Sequence, residues 1–161
     1  MNQLSVLSIY LLYSIYMTHL YTSGYEGETI KQFIAKLNSQ KIDIIVDIRD
    51  NPFSRKPGFS QKALSSYLKK EGIRYYHFGE LGAPKPLRTY LADKQDYASF
   101  FKQYGSYLPE YRDSIDDIID MGSDRKICLL CFEKYPHYCH RKVVAEFIKN
   151  YAGKKIEVIH I

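Results

Sequence analysis

At 161 residues the chain has the length of one domain, enough to bury an apolar core without disulfide or metal staples. Hydrophobic residues make up 45% and charged residues 25%, ordinary globular values that exclude wholesale disorder. The 23 Lys and Arg against 18 Asp and Glu leave a net charge of +5 with no long basic run, which favours anionic partners and excludes a histone-like tail binder.

Residues 4–16 (LSVLSIYLLYSIY) are apolar or hydroxylated throughout. They fall short of the roughly 18–20 apolar residues that span a bilayer, and they lack the basic start and small-residue cleavage site of a signal peptide. No membrane partner is expected. The domain is expected to cover residues 17–161, with Met17 as the natural start and residues 1–16 as an apolar extension. The alternatives are that the extension packs on the domain or on a second copy, giving a homodimer, and, third, that it is a membrane anchor.

Residues 18–23 (THLYTS) read as a short strand ending at Gly24. In residues 29–37 the positions Ile30, Phe33, Ile34 and Leu37 share a helical face behind Thr29 as N-cap. Residues 42–48 (IDIIVDI) form the β-branched run of a strand covered on both faces, and a loop rich in Pro, Gly and Arg follows over 49–59. Ser60 caps a helix carrying Ala63, Leu64, Tyr67 and Leu68, which Gly72 stops. Residues 73–78 (IRYYHF) are a third strand, and 79–91, with two prolines, read as an irregular loop. Residues 97–119 are helical with a break at Pro109. A buried strand follows over 126–132 (KICLLCF), then a loop over 134–138, a helix over 140–151 and a last strand over 156–161. Five strands joined by helical crossovers, without hairpin turns, predict an α/β fold. It is one three-layer domain with a mostly parallel five-stranded sheet, Rossmann-like or flavodoxin-like.

In such sheets ligands bind outside the carboxyl ends of the strands, and the unusual residues of this chain lie there. The strands deliver Gly24 and Tyr25; Asp47 and Arg49, followed by Ser54 and Arg55; His77; and Cys131 with Glu133, leading to Cys139, His140 and Arg141. The elements DIRDNPFSRKPGFS, IRYYHFGELG and LLCFEKYPHYCHRKVVAE resemble signatures of the domain-of-unknown-function 488 family, from about residue 18 to the C-terminus. The resemblance implies an α/β fold from a bacterial and archaeal group without an agreed activity, and supplies no reaction.

Asp47 and Arg49, two apart on a strand, share a face; they are read either as ligand-orienting groups or as an ion pair closing the strand. Ser54 and Arg55 belong to a loop suited to wrapping a phosphate ahead of the Ser60 helix. His77 has the ring for proton transfer, with an unperturbed pKa of about 6.5, or is a satisfied structural histidine. His140 and Arg141 open a helix whose free N–H groups attract anions, with Arg141 as an anion clamp. Glu133 is the candidate general base or acid, and Cys139, near the helix N-terminus, a candidate nucleophile of lowered pKa. The competing reading is a capping network with Glu133 bonded to Arg141.

A zinc site built from all three cysteines (Cys128, Cys131 and Cys139) and His140 fails on spacing. Cys128 and Cys131 are three apart in a strand and point to opposite faces, so no metal and no cofactor is expected. No Walker loop, GxGxxG fingerprint or serine elbow is present. An odd set of three close cysteines is a poor disulfide framework and fits a reducing, cytoplasmic compartment. The expected function is an enzyme acting on a phosphate-bearing substrate, a nucleotide or nucleic acid. The alternatives are a non-catalytic nucleotide- or nucleic-acid-binding module that stacks bases on its tyrosines, and an assembly protein using the N-terminal extension.

Overall fold

The computed structural model describes residues 17–153 and 156–161; the expectations for residues 1–16 lie outside them. Strands β1 (His19–Gly24), β2 (Ile44–Asp47), β3 (Arg74–His77), β4 (Ile127–Cys131) and β5 (Glu157–His160) form one sheet in the order β3-β2-β4-β1-β5. Every neighbouring pair is parallel. The two continuous apolar runs become the interior strands β2 and β4, in which every residue is buried. The more polar RYYH segment of β3 alternates exposed and half-buried positions, as an edge strand should.

The helices cover both faces. On one, α1 (Ile30–Ser39) and α2 (Gln61–Lys70) contribute Phe33, Leu37, Leu64 and Leu68 to a core with Tyr21, Ile45, Cys128 and Leu130 of the sheet. On the other, α3 (Lys85–Lys94), α4 (Tyr97–Tyr107), α5 (Arg112–Met121) and α6 (Arg141–Tyr151) pack Leu87, Phe100, Ile115, Ile118 and Val144 onto Leu20, Val46 and Leu129. The three-layer α/β expectation holds, with a strand order of its own. Thr29 is the N-cap of α1 as expected and completes a capping box, accepting from the Gln32 amide while the Gln32 side chain accepts from the Thr29 amide.

The expected loop over 79–91 is a correction. After a 3₁₀ turn at Gly79–Leu81 the chain forms α3. Pro86 stands in the first helical turn, where no amide donor is needed and a fixed φ suits the helix, and Pro84 stands just outside it as N-cap. The prolines therefore mark the start of a helix. The break at Pro109 is a 3₁₀ turn, Leu108–Tyr111, between α4 and α5. Among the described residues no helix is long and apolar enough to cross a membrane.

Because all strands run the same way, Gly24, Asp47, His77 and Cys131 end at one edge of the sheet. Gly24 pairs with Cys131, and Asp47 pairs with His77 on one side and Leu130 on the other.

Candidate functional site

The β2 end is built on a buried fork. The Arg49 Nε donates to Asp47 Oδ1 at 2.8 Å and its Nη2 to Oδ2 at 2.5 Å, a bidentate geometry. The Arg49 Nη1 donates to the Tyr25 hydroxyl at 2.8 Å and to the Phe59 carbonyl at 2.9 Å, and the Tyr75 hydroxyl donates to Asp47 Oδ2 at 2.6 Å. Burial works against the Arg49 charge, but Asp47 more than offsets it and holds the guanidinium above its ordinary value. Burial and the adjacent Asp47 carboxylate keep the Tyr75 phenol protonated. The pair thus anchors the loop that ends at Phe59, and Tyr25 is held in it by stacking on Phe59 at 4.2 Å.

The β4 end is denser. Cys131 Sγ lies 3.0 Å from Glu133 Oε2 and 3.7 Å from His140 Nδ1. The His140 Nε2 is 3.0 Å from the Ile48 carbonyl; a carbonyl only accepts, so Nε2 carries the hydrogen and Nδ1 of the neutral ring keeps its lone pair toward Cys131. Tyr104 packs edge-on against the imidazole and donates its hydroxyl to the Leu81 carbonyl at 2.6 Å. Ligand-type atoms of Cys131, Cys139 and His140 all lie within 4.8 Å of one another, and all three residues are buried.

Burial opposes ionisation of Glu133, yet hydrogen bonding with Cys139 and Cys131 outweighs it and leaves the carboxyl below its usual range. Burial disfavours a charged His140 as well, but Cys139, the Ile48 carbonyl and Glu133 together hold the ring above the ordinary imidazole value. Burial, then contact with Cys131, pushes the Cys139 thiol well up. The lowered pKa expected for Cys139 at the helix N-terminus is corrected: a thiol only 1% exposed has lost the water a thiolate needs.

Arg141 is turned into the fold. It is 1% exposed, its Nη1 donates to the Glu133 carbonyl and its Nη2 to the Lys134 carbonyl at 2.9 Å, with Nε 3.3 Å from Thr22 Oγ1. The guanidinium pins the backbone of the β4–α6 loop and stands outside the cleft lining. It bonds the backbone of Glu133, leaving the carboxylate free of the expected capping pair. Gly24 is needed for the same approach, since a Cβ there would overlap the Glu133 carbonyl.

Between these two strand ends opens a cleft of about 920 Å³. Of the predicted residues, Tyr25, Arg49, Ser54, Arg55, Cys131, Glu133 and His140 line it. Asp47, fully buried beneath Arg49, does not, nor do Gly24, Arg141 and Cys139. His77 stands aside as well, its Nε2 2.7 Å from the Arg49 carbonyl, which makes it a brace for the loop. Sequence reasoning missed the opposite wall: Arg88, Leu91 and Gln95 of α3 and its C-cap, Tyr97 and Phe100 of α4, and Tyr138. Arg88 pairs with Asp50 at 2.9 Å across the mouth, and Phe53, Phe132 and Tyr138 are 69%, 45% and 49% exposed on its rim. The signal for α3 was present as Leu87 and Leu91, four apart behind Pro86.

Cys128 confirms the division of thiols inferred from spacing. It is sealed in the opposite core, where burial pushes it to about 12. That geometry removes Cys128 from any shared site, but it leaves Cys131, Cys139 and His140 together.

This is a three-layer α/β protein with a carboxyl-edge cleft. Residues 29–148 match the family described as Domain of unknown function DUF488, and the chain belongs to that family. The match covers the loops of β2, β3 and β4 and stops within α6. No curated protein and no solved structure matches the chain.

Proposed function

We propose that this protein is an enzyme that holds a phosphate-bearing substrate, a nucleotide or a segment of nucleic acid, in the carboxyl-edge cleft. The observation that carries this reading is the composition of one cavity. Exposed Arg55 and Arg88, rim aromatics and an ionisable Glu133 beside Cys131 and His140 share its lining. Arginine forks suit phosphate oxygens, exposed rings suit stacking of a planar base, and a carboxylate beside a thiol and an imidazole suits proton transfer. Among the described residues Arg55 pairs with no carboxylate and would meet the anion directly; Arg88 reaches it when its surface pair with Asp50 opens, a pair of little strength. Three free cysteines suit a reducing, cytoplasmic setting.

The test incubates the protein with nucleotides and short single-stranded oligonucleotides and follows substrate mass. Turnover that Glu133→Gln abolishes, while binding persists, supports the enzyme. Salt-sensitive binding without any turnover identifies a binding module instead, a reading that the exposed Phe53, Phe132 and Tyr138 favour.

A further inference from the structure

The cluster at the base of the cleft has the chemistry of a metal centre. We propose that Cys131, Cys139 and His140 bind one zinc ion, with the fourth position open toward the cleft beside Glu133. Two thiolates and an imidazole form a soft donor set that selects zinc over magnesium or calcium. At Zn–S and Zn–N lengths of about 2.3 and 2.0 Å, a tetrahedral site places its ligand atoms roughly 3.5–3.8 Å apart. Cys131 Sγ and His140 Nδ1 are 3.7 Å apart, and the whole trio lies within 4.8 Å, so the ligands close on an ion by a small contraction.

The surroundings match what such a ligand set requires. A metal-bound histidine donates its other N–H to a carbonyl or carboxylate, which fixes the tautomer and aims the free nitrogen. His140 Nε2 does this with the Ile48 carbonyl at 3.0 Å. The start of the loop carrying the ligands is tied down: the Glu26 amide donates to the Phe132 carbonyl at 2.9 Å, and Arg141, just past its end, holds the carbonyls of Glu133 and Lys134. Cys139 lies outside the cleft lining whereas Cys131, His140 and Glu133 face it, so the bound ion has a protein side and a cleft side. On the cleft side Glu133 would stand beside the open position, where a bound zinc would supply Lewis-acid activation of a water or substrate oxygen.

The proposal departs from the expectation of no metal, whose spacing argument turned on Cys128 and Cys131 facing opposite ways. It does not depend on the phosphate reading, because metal binding is measured without substrate. The experiment titrates zinc, in competition with a chromophoric chelator, into reduced full-length protein stripped of metal, and repeats the titration with cobalt(II). The expected result is one zinc per chain, with cobalt giving thiolate charge-transfer bands and the intense visible bands of tetrahedral coordination. Cys131→Ser, Cys139→Ser and His140→Gln weaken zinc by about a hundredfold or more, whereas Cys128→Ala keeps wild-type affinity and cobalt bands. Failure of the folded wild-type protein to bind zinc or cobalt overturns the proposal, as does loss of binding in Cys128→Ala equal to that in Cys139→Ser. Zinc bound with wild-type spectra in a protein that binds no nucleotide supports the metal site and refutes the substrate reading alone.

Discussion

Replacing Arg141 by Ala tests whether this arginine serves the fold or a ligand. The side chain is 1% exposed and donates to two backbone carbonyls and approaches Thr22 Oγ1. A hydrogen bond from a charged donor contributes about 1.5–3 kcal/mol, and each carbonyl left buried without a partner adds to the loss. Counting the two carbonyl bonds and giving little weight to the 3.3 Å contact yields a loss of about 3–6 kcal/mol. With a urea m value of about 2 kcal/mol/M, the midpoint falls by about 1.5–3 M. Arg141→Lys keeps the charge but has no planar fork to reach both carbonyls, and is expected to lose about 2 kcal/mol. Equilibrium urea unfolding followed by circular dichroism measures both. A loss under about 1 kcal/mol for Arg141→Ala, at unchanged m value, would refute the structural role and restore the anion clamp.

The glycines give a paired test of opposite sign. Gly24→Ala drives a Cβ into the Glu133 carbonyl and is expected to lose about 2–3 kcal/mol. Gly105→Ala, inside α4 with only Val143 Cγ1 nearby at 3.5 Å, is expected to gain about 0.5–1 kcal/mol; thermal melts of both variants check the signs. On the acid side, Asp96 caps α4 through the Ser99 amide at 3.0 Å. Its bonds to Ser99 hold the carboxyl below its ordinary value. A depressed carboxyl stabilises above its unfolded pKa of about 3.9 and loses this as pH falls through the folded value. Asp96→Asn, which keeps an oxygen for the cap but cannot titrate, should therefore lose stability less steeply than wild type as pH falls below about 4. Parallel acid limbs in a pH series of denaturant midpoints would contradict this.

The sheet was legible because its strongest strands are continuous apolar runs. IIVD and ICLLC need cover on both sides, and only a parallel sheet between helices provides it. The edge that gathers the site followed from strand direction alone, and with it Arg49, Glu133 and His140. The direction of individual side chains beyond the strand ends was not legible. Arg141 and Cys139 share the first turn of α6 and its approach with His140, yet their depth depends on how closely Gly24 lets the β4–α6 loop descend, a contact between segments more than a hundred residues apart. The far wall of the cleft was missed for a local reason. Pro84 and Pro86 punctuate a loop by sequence, yet Pro86 stands in the first turn of a helix, and Arg88 and Leu91 belong to that helix. The cysteine spacing correctly set Cys128 apart, but spacing along a strand says nothing about which thiols a later loop brings back.

The central claim is that the cleft recognises phosphate. Isothermal titration of a nucleoside monophosphate and of its parent nucleoside at low salt, on wild type and Arg55→Ala, tests it most directly. The account predicts that the nucleotide binds at least about tenfold more tightly than the nucleoside, a difference of about 1.4 kcal/mol. It predicts that Arg55→Ala removes most of that preference while leaving nucleoside binding and the unfolding midpoint unchanged. Equal affinity for the two ligands, or a phosphate preference that survives Arg55→Ala intact, would contradict it.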